Sequence, residues 1–498
     1  MQTLDLIIIF GYLIGVTLFG VYFSKNQETT DDYFVGDRNV PWWAIAMSIV
    51  ATETSTITFI SVPGIAFAKG GNFQFLQLVF GYMLGRIVIS LLFIPMYFRG
   101  DLQTVYQLLG ERFGAKVKML ASALFVVMRN IADGIRLLLT AIVLASVYIA
   151  FQPDANAETM TILSVILLGV VMIIFTFYGG MEAVIWVEVV QLLIYIGGAI
   201  AAAVVILSQI DGGMPQVLAL GQQFNKFNLF DFTLDFTKTY TFWAGLIGGC
   251  FLTMSTHGTD QYLVQRYLCT NKSSSASLAL LSSGAVVLGQ FIGFLFIGVL
   301  LFAFYAPFNS AEYANAGVLN SGVPATFPFA GGDKVFPAFI TQNMPSGLSG
   351  LVIAAIFAAA LSSSLNSIAA TFVNDLYKPF AKDKSDKSLL KISGWLTLFF
   401  GIIQIVVALF MMKQNESALS QALSIASLFN GPVLGVFLVG TFIKKANETA
   451  ALIGMAASIL LMLYIKFATP LAWTWYVLIG SLTTLLVAWM VSLFIQKK

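Results

Sequence analysis

The sequence predicts an all-α integral membrane protein with about thirteen transmembrane helices, two of them broken near the middle of the membrane. Three observations support this class. Only 10% of the 498 residues are Asp, Glu, Lys or Arg, while 58% are hydrophobic; a soluble domain carries about 25% charge. Apolar runs long enough to cross a bilayer recur from end to end, and dense polar stretches interrupt two of them.

The transmembrane runs follow from length, because each crossing of the hydrocarbon needs about 20 apolar residues. The first run begins four residues after Met1, without a basic segment or a cleavage site, which indicates a retained helix and not a signal peptide. Cys250 and Cys269 lie in or beside apolar runs without CxxC spacing and are predicted to pack. The runs cover 5–23, 41–66, 72–98, 119–150, 159–180, 184–209, 240–262, 276–306, 347–374, 391–412, 417–441, 446–467 and 473–494.

Positive charges alternate between the two sides of the predicted membrane. About 17 lie on one side and 5 on the other, so the positive-inside rule places the N-terminus outside and the C-terminus in the cytoplasm of a cell-membrane protein. Arg266 counts among the cytoplasmic charges and Lys226 among the external ones. The two longest external connections, 210–239 and 307–346, are predicted to form lids or short surface helices.

The low charge also excludes other classes of protein. So few charges cannot keep a soluble enzyme or a disordered chain in solution, and basic residues that are spread over loops do not form a nucleic-acid binding surface. The chain carries no HExxH, Walker A or GxSxG motif. A passive channel would need a continuous polar stripe, whereas the polar residues gather near mid-membrane. These patterns favour a transporter and not an enzyme.

The second span contains a polar run that a continuous apolar helix would not carry. Residues 51–58 read Ala-Thr-Glu-Thr-Ser-Thr-Ile-Thr, and Pro63 and Gly64 follow. Polar groups are costly in hydrocarbon, so the run favours a helix that unwinds at mid-membrane and frees carbonyls to bind a ligand. The alternative is a Ser- and Thr-rich helix that packs closely on its neighbours.

The seventh span carries a second polar run, from Thr253 to Tyr262, with Gly258 at its centre. Two such breaks, five spans apart, are what two repeats of five helices would give. The run includes His257, the only histidine of the chain. A hydrogen-bonded structural role for His257 is as compatible with the sequence as substrate contact or proton transfer.

The ninth span offers oxygen atoms on one helical face. Ala359, Ser362 and Ser363 stand at i, i+3 and i+4, so one carbonyl and two hydroxyls share that face. Hard, neutral oxygens suit an alkali cation and not zinc or copper. Small residues at this spacing are also typical of close helix packing, but two unwound helices beside them favour a cation site.

Other charges within the spans form a separate group, with Arg86 in the third span, Arg129, Asp133 and Arg136 in the fourth, and Glu188 in the sixth. Asp133 stands four residues after Arg129 and three before Arg136, so mutual neutralisation explains these three. The alternative is that an arginine holds an anionic substrate, since its planar fork suits a carboxylate.

A series of short strings is specific in its order and spacing, although each string alone is weak. They are Asp31-Asp-Tyr-Phe34 with Gly36, Pro41-Trp-Trp43, Gly179-Gly-Met-Glu-Ala-Val-Ile-Trp186, Gln265-Arg-Tyr267, Asn366-Ser367 and Asp375-Leu-Tyr377. In these strings the chain resembles the sodium:solute symporter family, which includes sugar, sialic-acid, proline, iodide and monocarboxylate transporters. The resemblance covers nearly the whole sequence.

The resemblance implies one transporter domain over 1–498 with a leucine-transporter-type core. Span one is peripheral, 41–209 and 240–441 form two inverted five-helix repeats, and 442–498 forms two C-terminal helices. It also implies alternating access with sodium-coupled symport of a small polar organic solute such as a sugar or sugar acid. Sodium is the only cofactor expected, membrane lipids are the other partners, and the protein is expected to function as a monomer.

The resemblance also implies a sodium site between the second and ninth spans. Its ligand positions fall on the carbonyls of Ala51, Thr54 and Ala359 and on the hydroxyls of Ser362 and Ser363. This set agrees with the helical face described above.

Two departures from the family pattern affect the ion sites. The ninth span is shorter than usual before Leu-Asn-Ser, so a second register would put the hydroxyl positions on Ala359 and Ala360; the first register keeps the ligand face and is preferred. Some relatives have an aspartate of a second sodium site where this chain has Glu188, with Ser364 as its hydroxyl partner. A second ion, a proton carrier or a structural anchor would each fit Glu188.

The second-span string is similar to that of the sialic-acid transporters, whose carboxylate-binding residues fall on Ser55 and Thr58. Glu53 would repel an anion unless it is protonated or paired, with Arg86 or Arg136 as partners. A polyol, a sugar, a zwitterion or a cation is therefore also compatible with the sequence. The expected lining is Glu53, Ser55, Thr58, Gln77, His257 and Asp260, with Tyr262 as a stacking gate.

Acidic groups in the spans also leave a different coupling mode open. A proton-coupled or sodium-independent transporter would use Glu53, Glu188 or Asp260.

Overall fold

A computed structural model describes residues 2–22, 30–54, 56–68, 70–100, 102–152, 154–305, 332–361, 364–381, 385–412 and 418–495. Within these ranges the chain is α-helical apart from connections, short 3₁₀ and π turns, and an isolated β-bridge between Asn39 and Thr270. The helices are α1 (Thr3–Tyr22), α2 (Thr30–Val35), α3 (Trp42–Glu53), α4 (Thr56–Phe67), α5 (Leu76–Leu92), α6 (Ile94–Tyr97), α7 (Gln107–Phe113), α8 (Ala115–Phe151), α9 (Ala157–Ser208), α10 (Gly213–Gln223), α11 (Gly249–Gly258), α12 (Gln261–Tyr267), α13 (Ser273–Tyr305), α14 (Val335–Asn343), α15 (Leu348–Leu361), α16 (Leu365–Thr371), α17 (Asp386–Met411), α18 (Ala418–Phe442), α19 (Glu448–Ala468) and α20 (Tyr476–Ile495).

The all-α membrane class is confirmed. Among the described residues, 8 helices are long and apolar enough to cross a membrane, or 9 if α3 and α4 form one bent span. Shorter apolar helices at Thr3–Gly15, Leu348–Phe357 and Ala426–Phe442 correspond to the predicted first, ninth and eleventh spans. The seventh predicted span is divided between α11 and α12.

The predicted fifth and sixth spans lie in one helix. α9 runs for 52 residues, about 78 Å at 1.5 Å per residue, whereas the hydrocarbon core is about 30 Å thick. Two stretches of α9, Ala157–Ile174 and Met181–Ser208, are each long and apolar enough to cross a membrane. No loop therefore separates these two spans.

The second span breaks at its polar run and not at its proline. α3 ends at Glu53 and α4 begins at Thr56, and the span is bent by 58° between the two helices. Pro63 lies inside α4. Gly64 allows close approach to another segment, because a Cβ there would meet the backbone of Gly332 at 2.7 Å.

The seventh span breaks directly after its central glycine. α11 ends at Gly258, and α12 begins after Asp260, whose carboxylate accepts from the backbone N–H of Tyr262 at 2.8 Å. Asp260 is thus an N-cap, which satisfies a donor that the start of a helix leaves free. Both predicted broken helices are present.

Helix α1 is anchored to the start of α15 by Asp5. Its buried carboxylate accepts from the backbone N–H groups of Gly347 at 2.7 Å and Gly350 at 3.0 Å and from the hydroxyl of Ser349 at 2.7 Å. A carboxylate at this position stabilises the N-terminus of α15 through hydrogen bonds and the helix dipole.

Lys226, in the connection after α10, lies at the end of α4. Its Nζ donates to the carbonyls of Ala66, Phe67 and Ala68 at 2.8–3.1 Å and lies 4.3 Å from the ring centre of Phe302. Burial lowers the pKa of this amine from 10.5 to about 7. Lys226 lies in the connection that the sequence predicts to be external, but its side chain is buried against a helix C-terminus.

The long connections contain the short helices α10 and α14. Six of the nine residues of α14 are buried, so the expectation of surface helices is wrong for α14. The part of the second connection at 306–331 lies outside the described residues. Cys250 and Cys269 are buried free thiols, in agreement with their expected packing role.

Candidate functional site

The family-type strings meet one another in the fold. Gln265 donates through Nε2 to the carbonyl of Phe34 at 2.7 Å and to Oδ1 of Asn366 at 3.0 Å, and its Oε1 accepts from Ser367 at 2.6 Å. Trp43 and Trp186 of two other strings form an edge-to-face pair with ring centres 5.6 Å apart. Buried hydrogen bonds between distant segments explain why these residue types occur together.

The broken second span contacts the ninth span at the start of α4. The hydroxyl of Thr56 donates to the carbonyl of Ile356 in α15 at 3.1 Å and accepts from that of Thr140 in α8 at 3.0 Å. Ile356 precedes Ala359 by three positions in α15. The helical turn that contains Ala359 therefore lies next to the break; Ser362 and Ser363 lie outside the described residues.

On the other side, the break faces the sixth span across a small cavity. Ala51, Thr54, Gln191, Leu192 and Tyr195 line it. Because α3 ends at Glu53, its last carbonyls lack the partners that a continuing helix would supply. The second span thus offers hard backbone oxygens of the kind that sodium prefers.

Glu53, Arg86 and His257 form a buried cluster between α3, α5 and α11. The guanidinium of Arg86, fully buried, is paired with the Glu53 carboxylate, whose side chain is 13% exposed. Nε2 of His257 lies 3.4 Å from the same carboxylate oxygen and 3.4 Å from Nη2 of Arg86. The negative charge of Glu53 is therefore compensated by Arg86.

Asp133 is the centre of a second cluster. Arg129 contacts its carboxylate at 2.8 Å and Arg136 at 3.9 Å. Arg129 also lies 3.9 Å from the carboxylate of Asp260. The hydroxyl of Ser364 donates to Asp133. Both arginines and both carboxylates thus neutralise one another in this conformation.

The ring of Tyr262 lies among three arginines, of which Arg129 and Arg136 belong to α8 and Arg266 belongs to α12. The guanidinium carbons of Arg129 and Arg266 lie 4.0 Å and 4.6 Å from its ring centre, and Arg136 donates to its hydroxyl at 3.3 Å. Tyr262 is 2% exposed. In this conformation its ring makes cation–π contacts where sequence reasoning predicted a gate over the substrate.

Arg266, predicted as a cytoplasmic loop charge, is buried and paired with Glu188; that part of the charge count is wrong. Both side chains are at most 1% exposed, and the contact is two-pronged, with Nη2 on one carboxylate oxygen and Nε 3.2 Å from the other. Ser48 and Thr52 donate to the same carboxylate. A lone carboxylate in the apolar sixth span needs a counter-charge, and that need was the available signal for Arg266.

Ser364, the expected partner of Glu188, makes its hydrogen bond to Asp133. These contacts support the structural-anchor alternative for Glu188.

The side chain of Gln77 is engaged at the start of the seventh span, away from the break at Gly258. Its Nε2 donates to the carbonyls of Gln74 at 3.1 Å and Tyr240 at 3.2 Å, and its Oε1 accepts from the backbone N–H of Asp231 at 2.9 Å. Gln77 therefore holds the connection before the seventh span. Among the other expected lining residues, Thr58 is buried in the first turn of α4, and Ser55 lies outside the described residues.

An all-α membrane chain with two of its predicted spans broken, and with the charges within its spans paired, has the construction of a secondary transporter. The particular family follows from the sequence match. The chain belongs to the sodium:solute symporter family, whose family model matches residues 33–458.

Two similar proteins cover almost the whole chain. The sodium/sialic acid symporter NanT of Aliivibrio fischeri is 33% identical over 98% of this chain and 93% of its own. A solved structure described as the substrate-bound outward-open state of a Na⁺-coupled sialic acid symporter superposes with a TM-score of 0.84 at 30% identity, covering 99% of this chain and 98% of that one.

A more distant structure supports the fold alone. Mhp1, a nucleobase-cation-symport-1 family transporter in a closed conformation, gives a TM-score of 0.56 at 12% identity over 93% of this chain and 94% of its own. The predicted leucine-transporter-type fold is confirmed. This protein is a multi-pass membrane transporter, not an enzyme, and it couples transport of a small organic solute to sodium by alternating access.

Proposed function

We propose that the solute is a sialic acid or a closely related sugar acid. The observation that carries the proposal is the similarity over nearly the full length to sodium-coupled sialic acid symporters. The electrostatics of the site are compatible with it. Glu53, which alone would repel an anion, is compensated by Arg86.

The break in the second span supports an anionic solute in a second way. α4 begins at Thr56, so its first backbone N–H groups lack partners within the helix. Such a helix start, inside a membrane, favours a negatively charged group through these donors and the helix dipole. We assign the solute carboxylate to this helix start, with Ser55 and Thr58 as its hydroxyl donors and Glu53, His257 and Asp260 near the remainder of the molecule.

We assign the coupled sodium ion to Ala51, Thr54, Ala359, Ser362 and Ser363. The contact between Thr56 and Ile356 supports this assignment because it brings the second and ninth spans together beside the break. An ion that joins both spans would favour the same closed arrangement as the solute, and this shared preference is what couples their binding. Each sodium charge that moves inward supplies about 2.3 kcal/mol per 100 mV of membrane potential.

For topology, we propose a cell-membrane protein with its N-terminus outside and its C-terminus in the cytoplasm, acting as a monomer surrounded by lipid. The inverted repeats would comprise 41–209 and 240–441. Arg266 is subtracted from the cytoplasmic charges because it is buried, yet the remaining asymmetry still supports this orientation.

The test is uptake of radiolabelled N-acetylneuraminic acid into proteoliposomes under an inward sodium gradient. We expect accumulation with sodium and none when choline replaces it, and unlabelled sialic acid should compete where glucose and proline do not. Sialic acid uptake that is equal in choline would refute sodium coupling. Sodium-dependent uptake of glucose or proline without sialic acid uptake would refute the solute class.

A pair of variants tests the ion site in the same assay. Ser363→Ala should raise the sodium concentration for half-maximal uptake, because a ligand hydroxyl is lost. Ser146→Ala is the matched control, since the hydroxyl of Ser146 donates only to the carbonyl of Ile142 within α8 and should leave the sodium dependence unchanged.

A further inference from the structure

Gln191 is a buried amide whose hydrogen-bonding capacity is unused. It lies in α9, three residues after Glu188, and is 2% exposed. Neither its Nε2 nor its Oε1 has a hydrogen-bond partner among the residues that the structure describes. Buried polar groups are almost always satisfied, since leaving one unpaired is costly. An unpaired amide inside a membrane span therefore indicates a partner beyond the protein chain.

The position of Gln191 identifies what that partner would be. Gln191 lines the small cavity that Ala51 and Thr54 also line, and these two are the positions of the broken second span assigned to sodium. The hydroxyl of Thr54 donates to Oε1 of Gln290 in α13 at 2.6 Å. The oxygen that Thr54 offers to an ion is therefore its backbone carbonyl. Gln191 and the end of α3 thus line the same cavity.

We infer that the side-chain oxygen of Gln191 is a sodium ligand, contributed by the sixth span to the site at the break. The inference depends on the sodium site proposed above and extends it to a third helix. An amide oxygen is a hard, neutral ligand of the same kind as a backbone carbonyl, so it suits sodium without adding a charge. The anchored Glu188 one turn earlier fixes the rotation of this part of α9 through Arg266.

Tyr12 in α1 supplies a second neighbour for the amide. Its hydroxyl interacts with Gln191, although neither side chain makes a hydrogen bond of normal distance and angle among the described residues. One hydroxyl can engage only one of the two polar groups of the amide, so this contact does not satisfy Gln191.

The test measures sodium binding by the thermal shift of the purified full-length protein, with NaCl titrated against choline chloride at constant ionic strength. Gln191→Leu should raise the sodium concentration for half-maximal stabilisation by about tenfold or more, the effect of one ligand contact. Gln191→Glu keeps an oxygen at this position and should retain sodium binding. Gln404→Leu is the matched control, because Gln404 is a buried glutamine with an unpaired Nε2 in α17 that does not line the cavity.

The outcomes separate this inference from the proposed function. If the unmodified protein responds to sodium and Gln191→Leu responds at the same concentrations, Gln191 is not a ligand, while sodium coupling stands. If the unmodified protein shows no sodium response in binding or uptake, both proposals fail. An equal loss in Gln404→Leu would also overturn the assignment, since any buried glutamine would then have the same effect.

Discussion

The contact between Glu188 and Arg266 allows a quantitative test of what the carboxylate of the sixth span does. If it is a structural anchor, Glu188→Gln leaves the guanidinium of Arg266 buried without its counter-charge. Both side chains are at most 1% exposed, and breaking such a pair costs about 3–5 kcal/mol. The unfolding entropy is about 2.1 cal/mol/K per residue, so over 498 residues the expected fall in Tm is about 3–5 °C.

The assay is thermal unfolding followed by tryptophan fluorescence in detergent, in sodium and in choline. Glu188→Gln should lose the same number of degrees in both salts, since the anchor does not depend on the ion. The double variant Glu188→Leu/Arg266→Met removes both charges together and should recover at least half of the loss, because apolar replacements of a buried pair are often neutral.

Three results would refute the reasoning. The first is a Glu188→Gln protein as stable as the original, which would mean that Arg266 has another counter-charge. The second is a loss seen in sodium only, with a higher sodium requirement for uptake, which would make Glu188 an ion ligand as in the second-sodium-site alternative. Additive losses in the double variant would likewise exclude a mutually compensating pair.

Three further predictions concern other contacts. Arg86→Met should abolish uptake of an anionic solute by leaving Glu53 uncompensated, and adding Glu53→Gln should restore part of the initial rate in proteoliposomes; no restoration would show that Arg86 also binds the solute. Asp5→Ala should lower Tm by about 1–2 °C through the loss of about 1–2 kcal/mol of capping, and an unchanged Tm would contradict the anchor. Lys226 has a pKa lowered by burial to about 7 from 10.5, so the unfolded chain binds its proton more tightly and the free energy of unfolding should rise between these pH values. Lys226→Met should flatten that rise in Tm, and an identical pH profile would refute it.

The broken helices were predictable because their cause is local. A run of hydroxyls and carboxylates within an apolar span is too costly in an unbroken helix surrounded by lipid, and α3 ends at Glu53 within that run. Likewise α11 ends at Gly258, the central glycine of the second run. In both cases the sequence within a few residues determines where the helix stops.

The pairs of Glu53 with Arg86 and of Asp133 with Arg129 were among the expected ones, but the partners of Glu188, Ser364 and Gln77 were not predictable, because they depend on contacts between distant segments. Glu188 and Arg266 are separated by 78 positions, and Ser364 and Asp133 by 231. Arg266 follows an apolar span and precedes a polar turn, so its local sequence is that of a loop cation. Gln77 has the same difficulty, because its partner Asp231 lies in a connection 154 positions away.

The pairing pattern bears on how such a transporter moves without exposing bare charge to lipid. Arg129 and Asp133 lie on one helix and can remain paired in any conformation. The contacts of Glu188 with Arg266 and of Arg129 with Asp260 instead join the two proposed repeats. If the repeats move as rigid bodies, these contacts either stay at the pivot or open where water reaches them, since a separated pair in hydrocarbon would be prohibitively costly. The full burial of Glu188 and Arg266 favours the pivot for that pair. The longer, 3.9 Å contact of Arg129 with Asp260 is the one suited to opening, because Arg129 keeps Asp133 as its partner when Asp260 withdraws.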